Sequence, residues 1–317
     1  MVKRAILFPG QGAQYAGMGK DLYQNYPVFR EIFDRAAKIL GMDLAEVCFE
    51  GPQEELTRTR ICQPAIFTMS YAVFKVLKNE IPQLQFDGFA GLSLGEFTAL
   101  TAAGSLSFEE ALRSVEARGR FMEEACLEKK GTMASILGLG FDAVQSACRK
   151  ASERGIVTVA NVNSPAQIVV SGEPAGVEAL CSEAKALGAK RAIPLDVSGA
   201  FHSPLMESAR VKLEFFLKDI DIKKPEGIFM ANVKGAGVSD SGEIRGLLIS
   251  QVTGSVLWES TIREFVQEGF GLFVEAGCGR VLSGLMKKIA PQVQTLNIED
   301  IESLEKAKLA LNLKEGE

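Results

Sequence analysis

The 317-residue sequence has one histidine, His202, and no pair among its six cysteines shows the C-x-x-C spacing of zinc and redox sites. Scattered single cysteines are typical of buried thiols in a reducing compartment, and not of a disulfide or metal framework. The sequence therefore predicts no metal site. Any reaction that needs an imidazole has only His202 to supply it.

Long apolar runs are also missing. The run near the start, at 5–8, is four residues long, which is too short for the core of a signal peptide. No stretch approaches the length that spans a bilayer. The chain has 35 basic and 40 acidic side chains, a formal charge of −5, which argues against wholesale binding of nucleic acid. We expect a soluble cytoplasmic protein with neither nucleic acid nor a membrane as partner.

What the sequence does contain is an ordinary globular composition, with 47% apolar and 24% charged residues, and a length that suits one large domain or two. Strand and helix patterns alternate over 1–127 and again over 199–317, which predicts one α/β domain with a mostly parallel sheet covered on both faces. Between them, 128–198 has the order βαββαβ, which predicts an inserted ferredoxin-like subdomain. Helices of the larger domain are predicted over 53–79, 96–103, 107–126, 203–218 and 243–268.

A G-x-S-x-G pattern, GLSLG at 91–95, lies between a predicted strand at 86–90 and a predicted helix. Its glycines lack Cβ atoms, so strand and helix can approach closely at a sharp turn that presents Ser93. The backbone N–H of Leu94, at the start of the helix, is the natural donor to an oxyanion. The pattern can arise by chance in a chain with 31 glycines, but its context favours a nucleophile.

A serine hydroxyl is a weak nucleophile and needs an adjacent base. His202 taken alone is more easily explained as a structural histidine near a turn. As the only imidazole available to Ser93, it becomes the candidate base. No Asp or Glu is marked out by the sequence to orient it, so we expect a backbone carbonyl or a side-chain amide in that position.

Two further features each have an ordinary and a functional interpretation. The loop PGQG at 9–12 follows the first strand but fits neither glycine-rich phosphate template, so it is a simple turn or a donor of backbone N–H groups to a neighbouring site. Arg118 lies in mid-helix beside Gly119. Most helical arginines are solvated, but one at a close helix contact can point inward, where its guanidinium fork matches a carboxylate.

Seven motifs, in order, carry a family resemblance: FPGQGAQ at 8–14, GLSLGE at 91–96, RGRFM at 118–122, NVNSPAQ at 161–167, GAFHS at 199–203, QV at 251–252 and EAG at 275–277. The sequence resembles the malonyl-CoA:acyl carrier protein transacylases of fatty acid synthesis, to which polyketide-synthase acyltransferase domains are related. The resemblance covers about residues 4–290. It implies an α/β-hydrolase-like core with the inserted subdomain, and an active site in the cleft between the two.

The resemblance also implies roles for the reacting residues. Ser93 would be the acylated nucleophile, His202 its base, and Arg118 the partner of the free malonyl carboxylate. Malonyl-selective members carry the Ala-Phe-His form of the histidine motif, as this chain does at 200–202. The implied activity is malonyl transfer from malonyl-CoA, through a malonyl-serine, to the phosphopantetheine thiol of acyl carrier protein. It needs no cofactor, since the CoA thioester is the substrate.

Four further residues receive supporting roles from the same resemblance. The backbone amides of Gln11 and Leu94 would form the oxyanion hole. Gln251 would orient the histidine through its carbonyl oxygen, and Asn163 would lie in the pocket. Two positions depart from the family pattern: Leu92 stands where a histidine is frequent, and Cys278 stands where a proline is frequent, which would leave that turn less rigid.

Three other functions stay open at this point: a serine thioesterase or acylhydrolase with the same Ser–His pair, an acyltransferase of polyketide synthesis, and a carrier-binding scaffold with an inactive site. Acyl carrier proteins of this pathway are strongly acidic while this chain is net negative, so docking requires a local concentration of positive charge. The adjacent pairs Lys190, Arg191 and Lys287, Lys288 are candidate contacts, with solvated surface charge as the ordinary alternative.

Overall fold

The computed structural model of the chain describes residues 2–312; residues 1 and 313–317 of the predicted larger domain lie outside this range. Its strands are β1 (Lys3–Phe8), β2 (Gly88–Gly91), β3 (Thr132–Leu137), β4 (Val157–Ser164), β5 (Gln167–Gly172), β6 (Arg191–Pro194), β7 (Ile228–Ala231), β8 (Ala236–Val238), β9 (Phe270–Ala276) and β10 (Gln294–Ile298). Its helices are α1 (Lys20–Asn25), α2 (Pro27–Leu40), α3 (Leu44–Glu50), α4 (Gln53–Thr57), α5 (Thr59–Glu80), α6 (Gly95–Ala102), α7 (Phe108–Glu128), α8 (Phe141–Ala151), α9 (Pro174–Ala186), α10 (Glu207–Leu217), α11 (Ser241–Gln251), α12 (Trp258–Gln267), α13 (Val281–Ile289) and α14 (Ile301–Asn312), with a 3₁₀ turn at Pro204–Met206.

Six strands form the large sheet, in the order β10-β9-β1-β2-β7-β8. All its pairs are parallel except that β8 runs antiparallel to β7 at one edge. Residues 5–8 of β1 are completely buried, as expected for a central parallel strand with helices on both faces. Ala5 and Leu7 pack into one core cluster, and Ile6 and Phe8 into the other. The predicted α/β fold with a mostly parallel sheet is confirmed.

Four strands form the small sheet, which is antiparallel and has the order β4-β5-β3-β6. Its elements follow the predicted sequence βαββαβ. Side chains alternate between its faces: Ala134 and Ile136 pack with α8 and α9 in a separate core, whereas Met133 and Val169 join a core cluster of the large sheet. One face of the small sheet is therefore turned toward the elements around the large sheet.

The helix predicted at 243–268 is wrong, because two helices, α11 and α12, are separated there by 252–257. Within the break, Val256 donates its N–H to the carbonyl of Ala160 over 2.8 Å and accepts the N–H of Val162 over 2.9 Å. These bonds attach the segment to β4 of the small sheet. Helical periodicity extends through both helices and does not reveal this long-range bridge. The break ends α11 at Gln251, so that residue's carbonyl becomes available to a partner outside the helix.

Two other predicted helices differ from the structure in smaller ways. The helix predicted at 53–79 is interrupted at Arg58, whose backbone is extended with a ψ of 129°. The helix predicted at 203–218 begins with the 3₁₀ turn.

All six cysteines are free, and five of them are buried. No helix within residues 2–312 is long and apolar enough to cross a membrane.

Candidate active site

Ser93 lies in the turn between β2 and α6, and steric contacts explain the glycines on either side of it. A Cβ on Gly91 would lie 2.0 Å from the carbonyl oxygen of Gly95, and a Cβ on Gly95 would lie 2.3 Å from that of Phe8. Ser93 itself has a φ of 53°, a left-handed conformation that costs a non-glycine residue about 1–3 kcal/mol. The G-x-S-x-G pattern thus forms a sharp strand–turn–helix with the serine at its apex.

Two amide side chains hold the strained backbone of Ser93. Its N–H donates to Asn232 Oδ1 over 2.6 Å, and Gln251 Nε2 donates to its carbonyl oxygen over 2.9 Å. Asn232 Nδ2 also donates to the carbonyl of Gly91 over 2.8 Å. Both amide side chains are fully buried, where hydrogen bonds meet little competition from water. Residues far away in the sequence therefore fix the turn.

His202 lies directly beside the serine hydroxyl. Its Nε2 is 2.8 Å from Ser93 Oγ, and its Nδ1 is 2.8 Å from the backbone carbonyl oxygen of Gln251. A carbonyl only accepts, so Nδ1 carries the hydrogen and Nε2 is left to accept the hydroxyl proton. Burial, together with the positive charge of Arg118, lowers the pKa of His202 to about 4. The imidazole is therefore neutral at pH 7 and able to act as a base.

Arg118 points inward and is 1% exposed. Its Nη2 donates to Ser93 Oγ over 3.0 Å and to Gln251 Oε1 over 2.7 Å, and its Nη1 donates to Gln63 Oε1 over 2.7 Å. Gly119 permits the close contact of α7 with α5, since a Cβ there would lie 2.8 Å from the carbonyl oxygen of Thr59. Burial lowers the pKa of Arg118 to about 10, which still leaves a full positive charge beside the nucleophile at pH 7.

Sequence reasoning missed Glu96, Asn232 and Gln63. Glu96 is 1% exposed and accepts hydrogen bonds from the backbone N–H of Asn232 and from Gln251 Nε2. Burial raises the pKa of Glu96 to about 8, against the opposing effects of these hydrogen bonds and of the charge on Arg118. Glu96 was visible as the last residue of the GLSLGE motif, but nothing in the local pattern shows that its side chain turns back under the serine.

A cavity of about 310 Å³ opens above Ser93, His202 and Arg118. Met133 and Val169 of the small sheet line it together with elbow residues of the large one, so the site lies between the two sheets. Sites at such junctions are common in proteins. Within residues 2–312, no cluster of three or more His, Cys, Asp or Glu side chains could hold a metal ion.

The loop at 9–12 packs against the elbow, since a Cβ on Gly10 would lie 2.4 Å from the carbonyl oxygen of Leu92. Gln11 and Leu94 both line the cavity beside Ser93. Among residues 2–312, no acceptor pairs with the backbone N–H of either one. Two unpaired N–H groups beside a nucleophile suit a developing oxyanion, which favours the second interpretation of this loop.

Asn163 also lines the cavity, and its Oδ1 is buried with no hydrogen-bond partner in the described part of the chain. A buried acceptor of this kind is costly unless something donates to it. Asn163 is therefore placed to contact a bound molecule, but it does not touch the Ser93–His202 pair through any hydrogen bond in the described structure.

The four cationic candidates do not line the cavity, and three of them, Lys190, Arg191 and Lys288, contact one end of the small sheet. All four are exposed. Lys288 Nζ donates to Gln167 Oε1 over 2.9 Å, and Leu137 of β3 pairs with Gln167 on one side and with Arg191 on the other. Two strand spacings, about 10 Å, therefore separate the backbones of Gln167 and Arg191. Gln167 also pairs with Ser164, the neighbour of the cavity residue Asn163.

The two departures from the family pattern fit without disturbance. Leu92 is partly buried and lines the cavity. Cys278 is completely buried, and burial raises the pKa of its thiol well above the usual range, so it is a poor nucleophile. Its turn is held on both sides, because Gly277 N–H donates to the carbonyl of Ile298 and Gly279 N–H donates to Glu299 Oε2, each over 3.0 Å.

The chain is similar to known proteins along nearly its whole length. Residues 6–295 match the family described as "Acyl transferase domain". Malonyl CoA-acyl carrier protein transacylase of Bacillus subtilis (strain 168) is 44% identical over 97% of this chain and 96% of its own. The crystal structure of malonyl CoA-acyl carrier protein transacylase from Clostridium perfringens superposes with a TM-score of 0.94 at 41% identity, covering 99% of this chain and 98% of that one.

A third similar protein was solved as a complex, described as a type II PKS acyl-carrier protein with its malonyl-transacylase. It superposes with a TM-score of 0.93 at 38% identity, covering 96% of this chain and 98% of that one. Sequence motifs, sheet topology and full-length similarity thus agree. The chain belongs to the acyl transferase family and, within it, to the malonyl CoA–acyl carrier protein transacylases.

Proposed function

We propose that the chain transfers the malonyl group from malonyl-CoA to the phosphopantetheine thiol of acyl carrier protein, in fatty acid biosynthesis. The observation that carries this proposal is the buried guanidinium of Arg118, whose Nη2 lies 3.0 Å from Ser93 Oγ. A nucleophile that acts on uncharged acyl groups has no need of a buried cation. A malonyl group brings a free carboxylate, which the guanidinium fork can pair with in two parallel hydrogen bonds.

In the first half-reaction, Ser93 Oγ attacks the thioester carbonyl while His202 Nε2 takes the hydroxyl proton. The carbonyl oxygen becomes an oxyanion facing the backbone N–H groups of Gln11 and Leu94. The intermediate collapses, the C–S bond breaks, and the CoA sulfur leaves as a thiol with the proton from His202. Through its backbone carbonyl, Gln251 holds the imidazole in the required tautomer and favours the transient imidazolium.

The second half-reaction reverses these roles. His202 takes the proton of the phosphopantetheine thiol, and the sulfur attacks the ester carbonyl of malonyl-Ser93. The same two N–H groups face the second oxyanion. The C–Oγ bond then breaks, and His202 returns the proton to Ser93, which restores the free enzyme and releases the malonyl carrier.

Transfer can be separated from hydrolysis in a single assay. With malonyl-CoA and carrier protein both present, we expect one malonyl-carrier thioester for each CoA released and little free malonate. Omitting the carrier should stop CoA release after about one equivalent per chain, since water replaces the thiol poorly. Steady release of malonate at the same rate with and without carrier would instead identify a thioesterase or acylhydrolase. A polyketide carrier accepted in preference to a fatty acid carrier would reassign the pathway.

The exposed cations at the end of the small sheet are the proposed docking site for acidic carrier protein. Reversing charge at Lys287 and Lys288 to glutamate should slow transfer to carrier roughly tenfold at low salt and weaken its salt dependence, because rim charges act mainly on association. The half-reaction with malonyl-CoA alone should change much less. Both effects are measured by single-turnover kinetics at several salt concentrations.

The control for this prediction reverses Lys223 and Lys224, an exposed adjacent pair away from the small sheet, which changes net charge equally. Equal slowing by both double variants would indicate a general effect of net charge. Equal loss in both half-reactions of the Lys287 and Lys288 variant would point to CoA binding instead of carrier docking.

We further propose an α/β-hydrolase-like relationship for the large sheet, with domain limits at 1–127 and 199–317 and the small subdomain at 128–198. The strand–turn–helix around Ser93 supports the first of these, and the separate core of the small sheet supports the second. A cytoplasmic location remains a prediction.

A further inference from the structure

Glu96 has no part in the mechanism above, although it is 1% exposed and lies immediately beneath the nucleophile. Each of its oxygens accepts one hydrogen bond: Oε1 from the backbone N–H of Asn232, and Oε2 from Gln251 Nε2. These two partners are the same residues that hold the N–H and the carbonyl of Ser93. A single carboxyl group therefore connects both supports of the strained serine.

The contact with Glu96 also decides which way the Gln251 amide faces. A side-chain amide presents an acceptor at one end and donors at the other. With Nε2 turned toward Glu96 and the Ser93 carbonyl, Oε1 is turned toward Arg118, whose Nη2 donates to it over 2.7 Å. If the amide were flipped, its NH₂ group would face the guanidinium, where two donors oppose each other.

We propose that Glu96 is a positioning residue for malonyl selectivity: by fixing the Gln251 amide, it holds the Arg118 guanidinium beside Ser93. The inference rests on the proposed function, since it assumes that Arg118 receives the malonyl carboxylate. It goes further by making selectivity depend on a residue that does not touch the substrate. The chain of contacts runs from Glu96 through the side chain of Gln251 to Arg118, and the His202 contact uses only the Gln251 backbone.

Glu96→Gln tests this because it keeps the shape of the side chain but replaces one acceptor by a donor. The backbone N–H of Asn232 cannot turn, so the remaining oxygen of the new amide is expected to stay with it. The new NH₂ group then opposes Gln251 Nε2, and the Gln251 amide must flip or move away. In either case Nη2 of Arg118 loses its bond to Gln251 Oε1, while Nη1 keeps its bond to Gln63. A hydrogen bond to a charged group is lost, which is expected to lower the malonyl preference about tenfold or more.

The experiment measures the acylation of Ser93 by malonyl-CoA and by acetyl-CoA and determines kcat/KM for each ester. The ratio is kcat/KM for malonyl-CoA divided by kcat/KM for acetyl-CoA, and it is compared between the variant and the wild-type chain. We expect that ratio to fall about tenfold in Glu96→Gln. The matched control is Glu275→Gln. Glu275 is also completely buried and accepts two backbone N–H groups, from Leu282 and Ser283, but it caps α13 and does not contact Gln251. The Glu275→Gln variant should lose about as much thermal stability as Glu96→Gln, but its malonyl-to-acetyl ratio should stay at the wild-type value.

A second comparison separates positioning from general damage to the fold. In the Arg118→Ala background, adding Glu96→Gln should change the ratio by less than about twofold, because the residue through which it acts is gone. If Glu96→Gln does not fold, Gln251→Met breaks the same link from the other side while keeping the backbone carbonyl. It should show the same fall in the ratio.

Three results would overturn the proposal. An unchanged ratio in folded Glu96→Gln or in Gln251→Met would show that the link does not set selectivity. A raised ratio would show that Glu96 opposes malonyl selectivity, the reverse of the proposed role. An equal fall in the Arg118→Ala background would show that the effect does not pass through Arg118. Failure of the wild-type chain to take up malonyl at all would instead reject the proposed function.

Discussion

Replacing His202 by alanine is expected to slow acylation of Ser93 by malonyl-CoA by about 10²- to 10⁴-fold, the usual effect of losing a general base. The reason lies in the geometry of the site. Nε2 is 2.8 Å from Ser93 Oγ, and Nδ1 is held by the Gln251 carbonyl. The other hydrogen-bond partner of that hydroxyl within residues 2–312 is the guanidinium of Arg118, which donates and cannot take the proton. Rapid-quench labelling followed by intact-protein mass spectrometry measures the rate directly.

The control for this variant is its thermal unfolding, because His202 is buried and its loss leaves a small cavity. A folded His202→Ala chain with a nearly normal acylation rate would contradict the account. The sequence contains no second histidine, so such a result would mean that the base is not an imidazole.

Replacing Arg118 by alanine is expected to remove malonyl transfer while acetyl transfer is kept or increased. Truncating one member of a buried, hydrogen-bonded charge pair typically costs about 2–5 kcal/mol, and an acetyl group has no charge to be matched. Arg118→Lys should restore malonyl transfer poorly, because an ammonium group lacks the planar fork. Measuring kcat/KM for both CoA esters in each variant gives the answer.

Arg120→Ala is the matched control for this prediction. Arg120 lies two residues along the same helix but is exposed, and it forms ion pairs with the surface carboxylates Glu116 and Glu124. It should leave both reactions nearly unchanged. If Arg118→Ala lowered malonyl and acetyl transfer by the same factor, Arg118 would be a structural arginine and the proposed selectivity would be wrong.

The elbow could be predicted from the sequence because its causes are local. The close contact between Gly91 and Gly95 follows from their spacing, and a strand before with a helix after is visible in the hydrophobic pattern. The candidate base could be identified without any knowledge of the fold, since His202 is the only histidine in the sequence. The sequence alone indicates Leu94 as an oxyanion donor and leaves the roles of Arg118 and of the loop at 9–12 open, whereas the roles of Gln251 and Asn163 come from the family resemblance. All five residues, Gln11, Leu94, Arg118, Asn163 and Gln251, lie in or beside one cavity.

The supports of the elbow could not be predicted in this way. Asn232 follows β7 and Gln251 ends α11, and both reach Ser93 only because of how distant segments meet. The break after Gln251 depends on the bridge between Val256 and β4, whereas the local periodicity favours one continuous helix. Glu96 is hidden for a related reason: its two partners are more than 130 residues away.

The whole mechanism depends on a malonyl-serine at Ser93, which mass spectrometry of the intact chain after brief exposure to malonyl-CoA, followed by peptide mapping, detects. We expect one malonyl group per wild-type chain, located on Ser93, which disappears when carrier protein is added. We expect a folded Ser93→Ala chain to take up none. Label that persists in Ser93→Ala, or that maps to a cysteine, would contradict this mechanism.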